Sequence, residues 1–129
     1  MTAMRYPPDW PPGCPPNEAS PAGGEVFRLV RSDALRPEDF RTHAELGRLP
    51  AAPPCLRHGL SLFRDRLDAE HQHRLFPGLG RFLARGLLEP ADGRTQLTRG
   101  QRPSHTTWWP FPSVDRLRPF AAQPPVELP

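Results

Sequence analysis

Proline decides what this chain can become. Twenty of its 129 residues are Pro, and Pro7-Pro8, Pro11-Pro12, Pro15-Pro16 and Pro21 crowd one end. A prolyl nitrogen gives no hydrogen to a ladder or a helix. Residues 1–24 are therefore expected to form an extended, polyproline-like arm, and 121–129 a second Pro-rich tail. Between them, 25–120 has the length for one domain with a real core. Tyr6 and Trp10 sit on the arm. Two aromatics on a coreless stretch need somewhere to dock, so the arm either wraps the domain or serves as a ligand for an aromatic-lined groove.

Inside 25–120 the pattern alternates strands and helices. Val26-Phe27-Arg28-Leu29-Val30 is a β-rich run. Pro37 suits the first turn of a helix, with Glu38 and Asp39 on its dipole, Phe40 and Ala44 on its buried face, and Gly47 as its stop. Gly59-Leu60-Ser61-Leu62-Phe63 predicts a second strand. Asp65 caps a helix from Arg66, with Leu67, Glu70 or His71, and Arg74-Leu75 at helical spacing. Residues 81–88 alternate as a strand, with Leu83, Arg85 and Leu87 on one face. Ala91-Asp92-Gly93 predicts a hairpin into Thr95-Gln96-Leu97-Thr98. The run Ser104-His105-Thr106-Thr107-Trp108-Trp109, rich in strand-forming Thr and Trp, closes the sheet. The expected class is α+β, a mainly antiparallel sheet with two helices.

All 17 basic residues are Arg, and neither Lys nor Ile occurs. With so much Ala, Gly and Pro, this has the stamp of a high-GC bacterial genome. The net charge is only +3, and Asp33, Glu38 and Asp39 interrupt Arg28, Arg31, Arg36 and Arg41, which argues against a nucleic-acid face. No apolar run reaches membrane-spanning length and no secretion signal is visible. The cytoplasm is the expected compartment, and there Cys14 and Cys55 are expected as free thiols.

Several side chains carry potential chemistry. Arg28, mid-strand beside Phe27 and Leu29, either points to solvent, pairs with Glu25 or Glu89, or clamps a ligand's phosphates. Ser61 faces either a cleft or neighbouring backbone. Ser104 and His105 are adjacent on a strand and point apart, so they make no nucleophile–base pair. Ser61 with His105 remains possible, although Phe63 stands where a Gly-x-Ser-x-Gly elbow needs its last glycine. Cys55, His58, His71 and His73 have poor spacing for a metal, and His71 and His73 point about 200° apart on a helix. The histidines are expected as surface groups on a polar helix. Alternation along 104–109 puts Trp108 inside and leaves Trp109 at the rim, sharing an open face with His105 and Thr107.

Arg28 on a first strand, Ser61 on a second, and a helix carrying Asp68-Ala69 together resemble the arginine-serine-glutamate class of ADP-ribosyltransferases. The resemblance implies NAD as cofactor, Arg28 as the clamp on its phosphates, Ser61 on the nicotinamide side, Phe63 close to the nicotinamide, and a late-strand Glu for catalysis. Beyond Glu89 the next Glu is Glu127, and His105 occupies the region where that acid would lie. With no complete catalytic constellation, the expected function is a binding or accessory module with a protein partner, acting through aromatic and Arg side chains. The alternative is a NAD-using enzyme of the ADP-ribosyl class. Expected ligand contacts under either are Arg28, Ser61, Phe63, His105, Thr107 and Trp109.

Overall fold

The computed structural model describes residues 6–100 and 102–129. Residues 1–5 of the arm, and Gln101, lie outside the described residues. The protein is α+β, built on a seven-stranded antiparallel sheet: β1 (Ser20–Pro21), β2 (Gly24–Val30), β3 (Leu60–Phe63), β4 (Phe82–Leu88), β5 (Gly93–Leu97), β6 (His105–Pro110) and β7 (Val126–Glu127). Their spatial order is β1-β5-β6-β3-β2-β4-β7. Alternation along the strands splits the apolar side chains into two layers. Val26, Val30, Leu60, Leu62, Ala84, Leu88 and Trp108 meet Phe40 and Phe120. Phe27, Phe63 and Leu83 instead meet Ala69 and Leu128. Gly86 admits the Phe120 ring to the sheet, since a Cβ there would lie 2.7 Å from it.

Strand order departs from expectation at two points. Residues 88–93 make no hairpin, because β4 pairs with β2 and β7 whereas β5 pairs with β1 and β6. The turn itself shows why. The Asp92 carboxylate accepts from the Glu89 amide at 2.7 Å, while the Asp92 carbonyl accepts from the Trp108 indole at 3.0 Å and from the Phe111 amide at 3.3 Å. The turn is thus anchored to the end of β6 and carries β5 away from β4. Gly93 makes the crossing possible, with φ of +131° and no room for a Cβ against the Trp109 carbonyl. Consequently β6 does not close the sheet but lies inside it, between β5 and β3.

The second expected helix is present as read, but the first is shorter than expected and a further short helix follows it. The segment from Pro37 breaks into a 3-10 turn at Pro37–Phe40 and a one-turn α1 (His43–Leu46), followed by α2 (Pro54–Arg57) and α3 (Arg66–Leu75). Thr42 is responsible. Its hydroxyl caps the Glu45 amide at 3.1 Å and Glu45 caps the Thr42 amide at 2.8 Å, which starts a new helix. Gly47 stops α1 in the left-handed conformation, as the sequence indicates. Phe40 is buried, but Ala44 is only partly so. Asp65 caps α3 as expected, through the Leu67 amide. The helix buries Ala69 and His73 rather than the Leu67–Leu75 side. His73 is therefore no surface residue: its Nδ1 lies 2.8 Å from the Gly80 carbonyl. Among the described residues, no helix is long and apolar enough to cross a membrane.

Both Pro-rich ends pack onto the domain. The Tyr6 hydroxyl donates to the Trp109 carbonyl at 2.6 Å, its ring meets Phe111 and Trp10, and Trp10 meets His58. β1 pairs with β5, and β7 pairs with β4. The wrapping arm also brings Cys14 to Cys55, with Cα atoms 5.4 Å apart, and the two form a disulfide rather than free thiols.

Candidate functional site

A cleft of about 600 Å³, within the usual range for small-molecule sites, opens where β2 and β3 diverge. Those strands pair at Phe27 and Phe63 alone. Arg28 fills the gap. Its Nε donates to the Asp39 carbonyl and its Nη1 to the Ser61 carbonyl, each at 2.8 Å, and its guanidinium lies 5.5 Å from the Phe40 ring centre. Nη2 has no protein partner among the described residues and belongs to a residue that lines the cleft. Burial away from water pulls the Arg28 pKa down to about 10, with the Asp39 charge acting in the opposite direction. It remains a cation at neutral pH. It pairs with neither expected carboxylate: Glu25 goes to Arg85, and Glu89 lies 3.8 Å from Arg118.

Arg28, Ser61, Phe63, His105 and Thr107 all line this one cleft. Trp109 does not. It is fully buried, like Trp108, and its indole donates to the Cys55 carbonyl at 3.0 Å. Tyr6 of the arm binds its carbonyl, and both strand tryptophans are buried inside the fold rather than one of them standing at the rim. Among the metal candidates, Cys55 is in the disulfide, His58 Nδ1 meets the Pro54 carbonyl and His71 accepts from Arg102.

The rest of the lining is strongly cationic. Arg31, Arg41, Arg48, Arg57, Arg99 and Arg102 border it, against Glu38 and Asp39. The Asp39 carboxylate is already committed to the Arg31 and Arg36 amides. His43, also at the edge, is held below its ordinary pKa by burial and then by the charges of Arg28, Arg48 and Arg57. Leu29, Leu46, Leu56 and Leu79 supply apolar wall. On the α3 side, Gln72 Oε1 and Arg102 Nε are buried without a partner. Sequence reasoning missed this wall because Arg41 reads as part of a mixed charged surface interrupted by acids, and Arg48 and Arg57 lie in a Pro-rich stretch after Gly47 with no periodicity to show their facing.

One wall rests on a carboxylate clasp. Glu45 takes the Arg116 guanidinium at 2.7 and 3.0 Å, and Arg116 also donates to the Phe40 carbonyl. Burial alone would raise the Glu45 pKa, but the bonds from Arg116 and Thr42 outweigh it and hold the group below its ordinary value. The associated stability is present above the ordinary carboxylate range and is lost as pH falls through the lowered folded value. Acid titration by tryptophan fluorescence should show this loss, and Glu45→Gln should remove its pH dependence. An unchanged acid limb in that variant would reject the clasp.

Comparison with protein-family models, curated proteins and solved structures gives no match to this chain.

Proposed function

We propose that this protein is a binding module for an anionic, nucleotide-like small molecule, with NAD or its ADP-ribose part as the ligand class. The observation carrying this reading is the convergence of Arg28, Ser61, Phe63, His105 and Thr107 on a single cationic cleft with apolar walls. A guanidinium suits a phosphate's geometry, and a diphosphate flanked by flat rings satisfies both the charge and the apolar lining. A protein partner held through surface tryptophans is the weaker reading, since Trp108 and Trp109 are buried. The disulfide favours an oxidising compartment over the cytoplasm.

Calorimetric titration with ADP-ribose is the direct test. Arg28→Gln should weaken binding by roughly tenfold to a hundredfold, the worth of one charge-assisted contact, with thermal melts checking that the variant folds. NMR titration of His43 supplies an independent signal. A bound anion offsets the charges of Arg28, Arg48 and Arg57, so the His43 pKa should rise on saturation. No heat of binding and an unmoved His43 would reject the reading.

A further inference from the structure

We propose that the cleft selects a nucleotide phosphorylated at two separate positions of the molecule over one that carries a diphosphate alone. This rests on the nucleotide-like reading above.

The distribution of charge carries the inference. Seven of the seventeen arginines line the cleft, against two of the fourteen acids. Ten arginines and twelve acids are left for the rest of the chain. A protein of net charge +3 therefore holds a surplus of five positive charges at the cleft and of two negative charges elsewhere. Pairing follows the same division. Outside the cleft, Arg36, Arg66, Arg81, Arg85, Arg116 and Arg118 each meet a carboxylate. Of the cleft arginines only Arg41 does so among the described residues, with Glu38 at 3.8 Å. Like charges gathered at one place repel until an anion neutralises them. His43 registers that repulsion, since Arg28, Arg48 and Arg57 add to burial in lowering its pKa.

The cations fall into two groups. Arg48 and Arg57 lie with Arg28 around His43, and the Arg57 Nε donates to the Arg48 carbonyl at 3.0 Å. Arg57 ends α2, just before β3 begins at Leu60. Arg99 and Arg102 belong instead to the connection between β5 and β6. The Arg102 carbonyl accepts from the His105 amide at 3.2 Å, and His105 pairs with Phe63, the last residue of β3. The groups thus stand at opposite ends of a four-residue strand, roughly 10 Å apart along it. The second group also has an open place for an acceptor. Arg102 Nη1 is held on His71 Nδ1 at 2.6 Å, while its Nε is buried without a partner among the described residues. A buried donor of this kind calls for an acceptor.

A diphosphate joining two sugars carries about two negative charges at one place. It satisfies the Arg28 group and leaves Arg99 and Arg102 unmet. Each phosphomonoester brings close to two charges at neutral pH. A nucleoside with one on either side of its ribose supplies about four, divided as the arginines are divided. The guanidinium fork suits both phosphates, and Leu29, Phe63 and Leu79 offer the base an apolar wall.

The test uses the full chain, with adenosine 3′,5′-bisphosphate, ADP-ribose, ATP and inorganic tripolyphosphate compared by calorimetry in one buffer. The bisphosphate should bind at least tenfold more tightly than ADP-ribose. It should also bind more tightly than ATP or tripolyphosphate, which hold similar charge in one run. Arg48 and Arg99 have no side-chain partner among the described residues and are exposed, so Arg48→Gln and Arg99→Gln should melt as the wild type does. Each should weaken bisphosphate binding about tenfold, and Arg99→Gln should narrow the lead over ADP-ribose. If ADP-ribose binds and the bisphosphate binds no more tightly, the two-position inference is overturned and the nucleotide-like reading stands. ATP or tripolyphosphate matching the bisphosphate, or a folded Arg99→Gln that keeps the full lead, overturns it equally. If neither the bisphosphate nor ADP-ribose binds, both fall together.

Discussion

Breaking the Cys14–Cys55 bridge should cost about 4 kcal/mol, the loop-closure value for two cysteines 41 residues apart. The bond ties a proline-rich arm, which has little hydrogen bonding of its own, to a one-turn helix that would not persist in isolation. Around it the arm relies on the Tyr6 hydroxyl and the Tyr6–Trp10–His58 ring contacts. Urea unfolding of the Cys14→Ser/Cys55→Ser protein against the oxidised wild type measures the difference. A consequence for the cleft follows, because Leu56 and Arg57 of α2 line it directly after Cys55. Loss of the bridge should therefore weaken ADP-ribose binding as well as stability. A change in stability below about 1 kcal/mol would show that the arm stays docked through its aromatic contacts and that the bridge only decorates them.

What the sequence revealed followed from local rules. Asp65 before Arg66, Gly47 after α1, and the two-residue alternation of Val26 to Val30 each act within a few residues, and each appears in the structure as read. The features that escaped depend on chain segments far apart. Nothing local distinguishes an Asp92 that starts a hairpin from one whose carbonyl is claimed by Trp108, yet that contact sends β5 across the sheet. The Cys14–Cys55 pairing depended on where the arm would lie, and composition alone pointed to free thiols. Five of the six side chains assigned to a ligand face line one cleft: alternation fixes Ser61 with Phe63 and His105 with Thr107 on shared faces, and Arg28, which alternation places with Val26 and Val30, reaches it through the gap between β2 and β3. The cationic wall was invisible for the opposite reason: short helical turns between prolines have no periodicity, and their facing is set by Thr42, Glu45 and Arg116.

Trp108→Ala and Trp109→Ala should each destabilise the protein by roughly 3–5 kcal/mol, the usual cost of emptying a buried aromatic site. The strand's alternation assigns one tryptophan to the interior and the other to a binding face, in which case only the first substitution would unfold the protein. The structure gives both rings an interior. Trp108 packs among Val26, Leu62 and Phe120 and donates to the Asp92 carbonyl. On the opposite face, Trp109 lies beside Gly59 and donates to the Cys55 carbonyl. The second ring is held at α2, which the disulfide ties to the arm, rather than in the sheet's two core layers. Its loss should therefore act first on the arm and on α2, and should couple strongly to the disulfide. A double-mutant cycle between Trp109→Ala and the Cys14→Ser/Cys55→Ser pair separates the two structural roles: Trp109 should show an interaction energy well above 0.5 kcal/mol, and Trp108→Ala in the same background should be closer to additive. Full retention of stability in Trp109→Ala would return that indole to the surface and, with it, the case for a partner docking there.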